Sequence, residues 1–354
     1  MNSFFITGVQ RSGTTLLSVL LSKHPDIFME RRSIAFRLIT CFNSLTDILP
    51  YNLKVDKSDL QRWLIENDSN GRLANLIQTD KLQDGGNLVD LIQQSIDLKL
   101  KQNTKRIWAD KSPNLEYFFK DITLLMPQSK MLHIVRDGRA VAQSMSIRSS
   151  RNLLLCAQQW VDGNIQALVN QQIAGKERYL IIHFEDLVKN PEKTLKAVCE
   201  FLNLTFSAEI LNPKEESKAN EVNYVKGDFD ESKIDSWKKD LSVKQIHKIE
   251  KIQGPLLDKF GYTLETTSDV YEHKPLSVLK RVLYKQVDNI RSLFRSKRMG
   301  MVDRKLVEIK IPFKNRVYTY FKVLTQELMS VQILKAMFPR VFYRKRHFDK
   351  DELQ

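Results

Sequence analysis

Short apolar runs alternate with segments of helical periodicity through the first 202 residues of the chain. Four of these runs have the length and composition of buried β-strands. They are 3–7 (SFFIT), 106–109, 130–135 (KMLHIV) and 179–184 (YLIIHF). Each run leads into a segment whose apolar residues recur at helical spacing. Strands that alternate with helices predict an α/β fold, a doubly wound and mostly parallel sheet flanked by helices.

Proline and asparagine mark where the predicted helices begin and end. Pro25 ends the first helix, since proline cannot continue it. Asn114 is predicted to cap a helix that runs to about Met126. Two further helices are predicted at 140–146 and 191–202, the latter with proline in its first turn.

The remaining segments set the predicted domain organisation. Residues 36–102 are mainly helical in pattern and are interpreted as an insertion within the sheet domain. Residues 264–275 are polar and poor in pattern, so they form the predicted boundary. The sequence therefore predicts one domain over 1–263 and a separate extension over 274–354.

The formal net charge of +14 is concentrated at the carboxyl end of the chain. Residues 274–354 contain 20 lysines and arginines against 7 aspartates and glutamates, which leaves a net charge of only +1 for the first 273 residues. The basic composition therefore does not indicate a nucleic-acid partner for the whole protein. The three cysteines are not in close pairs, so neither a disulfide framework nor a zinc site is predicted.

The amino terminus lacks the basic region, long apolar stretch and cleavage site of a secretory signal. No apolar run of about 18 residues follows it. The sequence is therefore expected to encode a soluble, cytoplasmic protein.

Residues 8–15 (GVQRSGTT) have the frame of a P-loop, with two glycines five positions apart between a strand and a helix. Thr14 stands where a nucleotide triphosphatase has its lysine, and Arg11 places a guanidinium three residues earlier. Backbone N–H groups at the start of the helix would bind an anion. The pattern indicates an anion site without metal, and the alternative is an ordinary strand-to-helix turn.

Residues 8–27 (GVQRSGTTLLSVLLSKHPDI) resemble the 5′-phosphosulfate-binding segment of sulfotransferases that use 3′-phosphoadenosine-5′-phosphosulfate (PAPS). The resemblance is closest to the tyrosylprotein and bacterial branch of that family. It implies that the 5′ end of PAPS, the co-substrate, is bound by a set of adjacent loop residues. These are Arg11, Ser12, Gly13, Thr14 and Thr15.

A second segment, 135–145 (VRDGRAVAQSM), resembles the 3′-phosphate-binding segment of the same family. The resemblance implies that Arg136 and Ser144 contact that phosphate, and a guanidinium fork suits such a ligand. One alternative is an ion pair between Arg136 and Asp137, with Ser144 on the helix surface. Another is a kinase or nucleotide triphosphatase in which Asp137 holds Mg²⁺.

Sulfuryl transfer to a hydroxyl requires a base, and the resemblance implies a glutamate shortly after the His-Pro-Asp turn. Glu30 is the candidate, although it falls about two residues before the family position, which Arg32 occupies. The alternative is a surface carboxylate paired with Arg31 or Arg32. His133 and His183 lie within apolar strands and are interpreted as core residues.

Weaker matches extend the resemblance from residue 2 to about residue 262. Lys111 in WADKSP matches the family lysine that stabilises the transferring group, and its alternative is a solvated lysine in a turn. Phe184 stands where the family often has tyrosine, so any contact from that hydroxyl is lost. The segment around Trp237 resembles a donor-covering segment.

Residues 276–298 and 316–343 have apolar positions at helical spacing with cations between them. They predict a basic, amphipathic helical extension. One interpretation is binding to an anionic membrane surface or another anionic partner. The other is docking on the core or a homodimer contact.

The sequence and the resemblance together predict a PAPS-dependent sulfotransferase. It would transfer the sulfuryl group to a hydroxyl or amine and release adenosine 3′,5′-bisphosphate, with carbohydrate, lipid, peptide and small metabolite all open as acceptors. The alternative from another class is a non-catalytic nucleotide-binding adaptor that uses the basic extension for membrane or partner binding.

Overall fold

The computed structural model describes part of the chain. At Leu88 and after residue 288, only the backbone is described. The described residues are 3–30, 35, 39, 58, 61, 65, 76, 77, 88–212, 229–266, 274–294, 297–302 and 305–310. The chain forms two compact units. The first comprises 1–141, 162–218 and 223–237, and the second comprises 142–161, 219–222 and 238–354.

Five parallel strands form the sheet of the first unit, in the order β2-β3-β1-β4-β5. The strands are β1 (Ser3–Thr7), β2 (Ile27–Glu30), β3 (Ile107–Lys111), β4 (Lys130–Val135) and β5 (Tyr179–His183). Because β1 lies at the centre, the chain winds outward from it in both directions. The predicted α/β fold with a parallel sheet is confirmed.

Helices connect the strands and continue after the sheet. They are α1 (Thr14–Ser22), α2 (Leu88–Gln102), α3 (Phe119–Leu125), α4 (Gly138–Ser149), α5 (Leu153–Ala174), α6 (Phe184–Lys189), α7 (Pro191–Leu202), α8 (Ser236–Asp240), α9 (Val243–Lys259) and α10 (Val278–Phe294). The division between the two units falls within α4 and within α5.

The central strand β1 is buried on both faces of the sheet. Phe5 belongs to a core cluster that also contains Trp108 and residues of α2, α3 and α5. Phe4 and Ile6 belong to a second cluster, formed with residues of α1, α6 and α7. Since side chains alternate along a strand, an unbroken apolar run such as SFFIT requires helices on both faces.

The strand β2 was not predicted from the sequence. It has only four residues, follows the turn at Pro25, and pairs with β3 as its one neighbour among the described strands. Its position is fixed by pairing, because the carbonyl of Asp26 accepts hydrogen bonds from the N–H groups of Arg106 and Ile107 at 2.9 and 3.0 Å. Such pairing comes from a distant segment and leaves no local pattern.

The helix predicted after Asn114 is confirmed at its end, since it stops at Leu125 next to the predicted Met126, but the prediction that Asn114 caps an α-helix is wrong. Asn114 has a φ of +64° and its side chain makes no capping hydrogen bond. A 3₁₀ turn, Leu115–Phe118, follows it, and the α-helix begins only at Phe119. The helix predicted at 191–202 is confirmed, and the one predicted at 140–146 is longer, 138–149.

The basic extension is helical over α10, and its sequence then forms a hairpin of β6 (Lys297–Val302) and β7 (Lys305–Lys310). The predicted helix 276–298 is thus confirmed over 278–294 and corrected at its end. The helix predicted at 316–343, most of the insertion 36–102 and residues 267–273 of the boundary lie outside the described residues. Among the helices that are described, none has the length and apolar character needed to cross a membrane.

His133 is a core residue, as predicted. It is fully buried on β4, where Nε2 lies 3.1 Å from Asn164 Oδ1 and Nδ1 lies 3.2 Å from the hydroxyl of Tyr179. Loss of solvation on burial lowers the pKa of His133 to about 4, although the Asn164 hydrogen bond opposes this effect. The imidazole is therefore neutral at physiological pH.

His133 should contribute a component of the stability that is lost in acid. A lowered pKa means that the stabilisation is fully present above pH 6.5 and is lost as the pH falls towards 4. Between pH 7 and pH 5 this linkage amounts to about 2 kcal/mol of unfolding free energy. Because other groups also titrate in this range, the component is measured as a difference: urea denaturation at the two pH values should show that the unfolding free energy of the wild type falls more, or rises less, towards pH 5 than that of His133→Gln. His247→Gln, a change in the second unit, should retain this component, and parallel losses in all three proteins would contradict this account.

Candidate functional site

All five strands of the sheet end at the same edge, because they are parallel. In folds of this kind, ligands bind beyond the carboxyl ends of the strands. The loop 8–13 follows β1, Arg136 follows β4 and Phe184 follows β5, while Glu30 and Lys111 are the last residues of β2 and β3. The sheet therefore brings candidate residues from five separate segments to one edge.

The loop after β1 packs so closely on the sheet that it requires glycine at both ends. Gly8 has a φ of +148°, and a Cβ there would lie 2.5 Å from the carbonyl oxygen of Ile134. Gly13 has a φ of +106°, and a Cβ there would lie 2.5 Å from Cδ2 of Phe184. Between them the chain turns back, with the Ser12 N–H donating to the Val9 carbonyl at 3.1 Å. These close contacts explain why both positions of the motif are occupied by glycine.

The start of α1 has the features of an anion site. Gly13 is its N-cap residue, and no acidic side chain occupies its first turn, so the N-terminal amides and the helix dipole favour a negative ligand. Ser12 is fully buried, and its Oγ has no hydrogen-bond partner within the described parts of the chain. Thr14 is buried and Thr15 is half-buried. An anion oxygen would satisfy the buried Ser12 hydroxyl.

Arg136 is joined directly to this loop. Its Nη1 donates to the carbonyl oxygen of Arg11 at 3.3 Å, and its Nη2 donates to the carbonyl of Lys233 at 2.5 Å. The guanidinium carbon lies 4.5 Å from the centroid of the Phe184 ring, a cation–π contact. The same ring lies against Gly13. Phe184 therefore packs against both predicted phosphate-binding elements, the loop 8–13 and Arg136. The comparison with the family tyrosine did not reveal this role.

The carboxylate of Asp137 pairs with Arg139. Arg139 Nη2 donates to Asp137 Oδ2 at 2.7 Å and Nε donates to Oδ1 at 3.1 Å, and both residues are buried. The Arg139 guanidinium lies 4.1 Å from the ring of Trp237, and the Asp137 N–H donates to Glu185. These contacts disfavour both alternatives for Asp137, an ion pair with Arg136 and a magnesium ligand, because Arg139 already holds the carboxylate.

Glu30 and Lys111 end neighbouring strands. Glu30 pairs in register with Asp110, the residue before Lys111. The Glu30 side chain is 13% exposed, and its Oε2 lies 3.8 Å from Nζ of Lys99 on α2. Lys111 is half-buried as the last residue of β3, so it belongs to the strand and not to the turn after it. Sequence reasoning missed Lys99, because only the tertiary fold brings α2 to β2; Arg31 and Arg32 lie outside the described residues.

Ser144 and His24 have simpler environments. Ser144 is half-buried on α4, beyond the point where the two units divide, and its predicted phosphate contact stays a prediction. His24 is buried, with Nε2 2.8 Å from the Thr205 carbonyl, in keeping with a structural role.

A model of the sulfotransferase family matches residues 3–208, more than half of the chain. The chain therefore belongs to the sulfotransferase family, and the predicted family is confirmed.

Two curated relatives show how far this similarity extends. The chain is 28% identical over 228 residues to protein-tyrosine sulfotransferase 1 of Danio rerio, covering 61% of this chain and 57% of the relative. It is 28% identical over 223 residues to protein-tyrosine sulfotransferase 2 of Gallus gallus, covering 61% and 54%. The chain thus spans little more than half the length of these relatives.

Two solved structures share the fold. The sulfotransferase domain of the Synechococcus PCC 7002 olefin synthase matches with a TM-score of 0.52 and 24% identity, covering 75% of this chain and 96% of that one. The sulfotransferase domain from the curacin biosynthetic pathway matches with a TM-score of 0.50 and 22% identity, covering 74% and 98%. At these identities the likeness concerns the fold.

A methyl group at position 13 tests how tightly the loop is packed. Gly13→Ala combines a positive φ with the contact to Phe184, whereas Gly261→Ala has a φ of +77° and open space. We expect Gly13→Ala to lower the unfolding free energy by about 1–3 kcal/mol more than Gly261→Ala, the usual range for overpacking. Denaturant unfolding of both variants measures this difference.

A double variant separates packing from backbone strain. Phe184→Ala removes the ring that the new methyl group would meet, so the double variant should lose less stability than the sum of the losses in the two single variants. Purely additive effects of the two changes would show that the loop does not pack on Phe184.

Proposed function

We propose that this protein transfers the sulfuryl group of PAPS to a hydroxyl or amine acceptor and releases adenosine 3′,5′-bisphosphate. The observation that carries the proposal is the hydrogen bond from Arg136 to the Arg11 carbonyl, beside a Phe184 ring that also packs on Gly13. Two segments that are predicted to bind anions, and that are distant in the sequence, therefore lie next to each other at one edge of the sheet. A nucleotide with phosphates at both its 3′ and 5′ positions suits such a pair.

The proposed donor site divides between backbone and side-chain groups. The 5′ end would be held by the amides of the loop and by the side chains of Arg11, Ser12, Thr14 and Thr15. The buried Ser12 hydroxyl and the lack of Cβ atoms at Gly8 and Gly13 fit a closely approaching anion. Arg136 and Ser144 would hold the 3′-phosphate.

In the proposed chemistry, Glu30 accepts the proton of the acceptor hydroxyl while that oxygen forms a bond to sulfur. The bond from sulfur to the bridging oxygen of the donor breaks, and its electron pair stays on the departing 5′-phosphate. Lys111, at the end of β3, would stabilise the negative charge that grows on the transferring and leaving oxygens. The location of both residues at the carboxyl edge supports this assignment.

Calorimetric titration with adenosine 3′,5′-bisphosphate tests the donor site. Loss of a charged hydrogen-bonding partner weakens binding by about 1.5–3 kcal/mol, so Arg136→Ala should reduce affinity about 10- to 100-fold. Arg106→Ala is the matched control, because Arg106 is exposed and precedes β3 at the opposite edge of the sheet. Equal affinities of the three proteins would exclude this site, and preference for ATP with Mg²⁺ would favour a kinase.

Turnover with radiolabelled PAPS tests the catalytic residues. The acceptor panel should include tyrosine peptides, because two similar relatives are named protein-tyrosine sulfotransferases. Glu30→Gln should lower kcat by about 10²- to 10⁴-fold, as expected for loss of a general base, and leave nucleotide affinity unchanged. Lys111→Ala should lower kcat by about 10²- to 10³-fold.

Glu200→Gln, a change on an exposed face of α7, should retain full activity in the same assay. Full activity of the Glu30 variant would remove Glu30 from the mechanism. Tight nucleotide binding by the wild type without transfer to any member of the panel would instead favour the non-catalytic adaptor.

A further inference from the structure

Glu116 lies directly behind the loop 8–13, which we call the phosphate loop, although no sequence motif singles it out. Its side chain is fully buried, and its Oε2 accepts a hydrogen bond of 2.7 Å from the hydroxyl of Thr7, the residue before Gly8. The Thr7 hydroxyl in turn accepts from the Leu115 N–H at 2.9 Å. The first glycine of the loop is therefore one residue away from a buried carboxyl group.

The surroundings hold the carboxyl group in place. A Cβ at Gly163 on α5 would lie 2.9 Å from Glu116 Oε1 and 2.6 Å from a methyl carbon of Val9, so α5 packs against both the carboxyl group and the loop. Asn170, on the same helix, donates to the backbone carbonyl of Glu116 at 2.7 Å. Glu116 Oε1 has no hydrogen-bond partner within the described segments. Movement of the carboxyl group would thus be transmitted to the loop.

Burial raises the pKa of Glu116 to about 7, and hydrogen bonds from Thr7 and from the Gly8 N–H partly oppose this rise. Three other titratable groups lie in this region. Tyr179 on β5 has a pKa raised well above its usual value by burial and by Glu116, and His133 on β4 is neutral above about pH 4. The third is the Tyr117 hydroxyl, which would lie 3.4 Å from a Cβ at Gly163. At neutral pH, charge on Glu116 is therefore not balanced by a charge on Tyr179 or His133.

We propose that Glu116 is a positioning residue of the phosphate loop, and that binding of the nucleotide anion is accompanied by uptake of a proton at Glu116. The proposal rests on the proposed function, since it takes the loop to be where the 5′ end of the nucleotide binds. An ionised Glu116 places negative charge behind the Gly8 amide, on the side opposite the ligand. A second negative charge in front of that amide disfavours the ionised form.

Linkage makes the consequence measurable. If nucleotide binding raises the affinity of Glu116 for its proton tenfold, nucleotide affinity falls by about tenfold from well below pH 7 to well above pH 8. The phosphates of the ligand have second ionisations near pH 6, so the ligand itself changes little above pH 7.5. The wild type and Glu116→Gln can therefore be compared between pH 7 and pH 8.5, where their difference reports Glu116.

Calorimetry of adenosine 3′,5′-bisphosphate binding at pH 7.5 in HEPES and in Tris, buffers of different ionisation enthalpy, counts the protons exchanged. The wild type should take up about half a proton per site, and its affinity should fall several-fold between pH 7 and pH 8.5. Glu116→Gln, which keeps the shape of the side chain, should exchange no proton and show a flatter profile. Glu250→Gln is the control, because it removes a buried carboxylate that accepts hydrogen bonds from Glu265 and Thr266.

The possible results are distinguishable. Failure of the nucleotide to bind any of the proteins overturns the proposed function. Binding without proton uptake by the wild type, or with the same uptake by Glu116→Gln, overturns the role of Glu116 and leaves the proposed function intact. If Glu116→Gln does not fold, the absence of proton uptake in the two-buffer measurement on the wild type still overturns the role of Glu116.

Discussion

The close packing of one loop against the sheet is the constraint on which the site depends. Gly8 lies on the backbone of β4, and Gly13 lies on the ring of Phe184 at the end of β5. Any side chain at either glycine would move the loop away from these strands. Because the loop is held there, Arg136 reaches it from the end of β4 and donates a hydrogen bond to the Arg11 carbonyl.

Buried charge helps to determine which arginine is directed to the site. Asp137 and Arg139 form a buried pair with two hydrogen bonds, and the Arg139 guanidinium lies on Trp237. A pair of this kind is stable only when both partners are retained, since a lone buried charge is strongly destabilising. The pair therefore fixes the backbone just after β4. Arg136, the residue before it, is directed to the Arg11 carbonyl and the Phe184 ring.

The parts of the molecule that could be predicted from sequence are those with a local pattern. The run KMLHIV predicts β4 because a strand that is covered on both faces consists mainly of apolar residues. The glycines of the loop could be recognised in the sequence because the close approach of the loop to the sheet excludes every other residue type at these positions. The strand β2 and the roles of Lys99 and Glu116 could not be predicted. Each depends on a neighbour that is distant in the sequence, and a lone lysine or glutamate has the same local signature on a solvated surface.

The two glutamates of the site show how environment separates residues of one type. Glu30 ends the edge strand β2, is partly exposed and lies near a cation, Lys99. Glu116 is fully buried behind the central strand, where burial disfavours its charged form. The proposed donor side is thus built on backbone geometry at the centre of the sheet, which few substitutions would preserve. The proposed base, Glu30, is instead a side chain on an edge strand beside Lys99 of α2, so residues around it can be substituted while the donor loop stays unchanged.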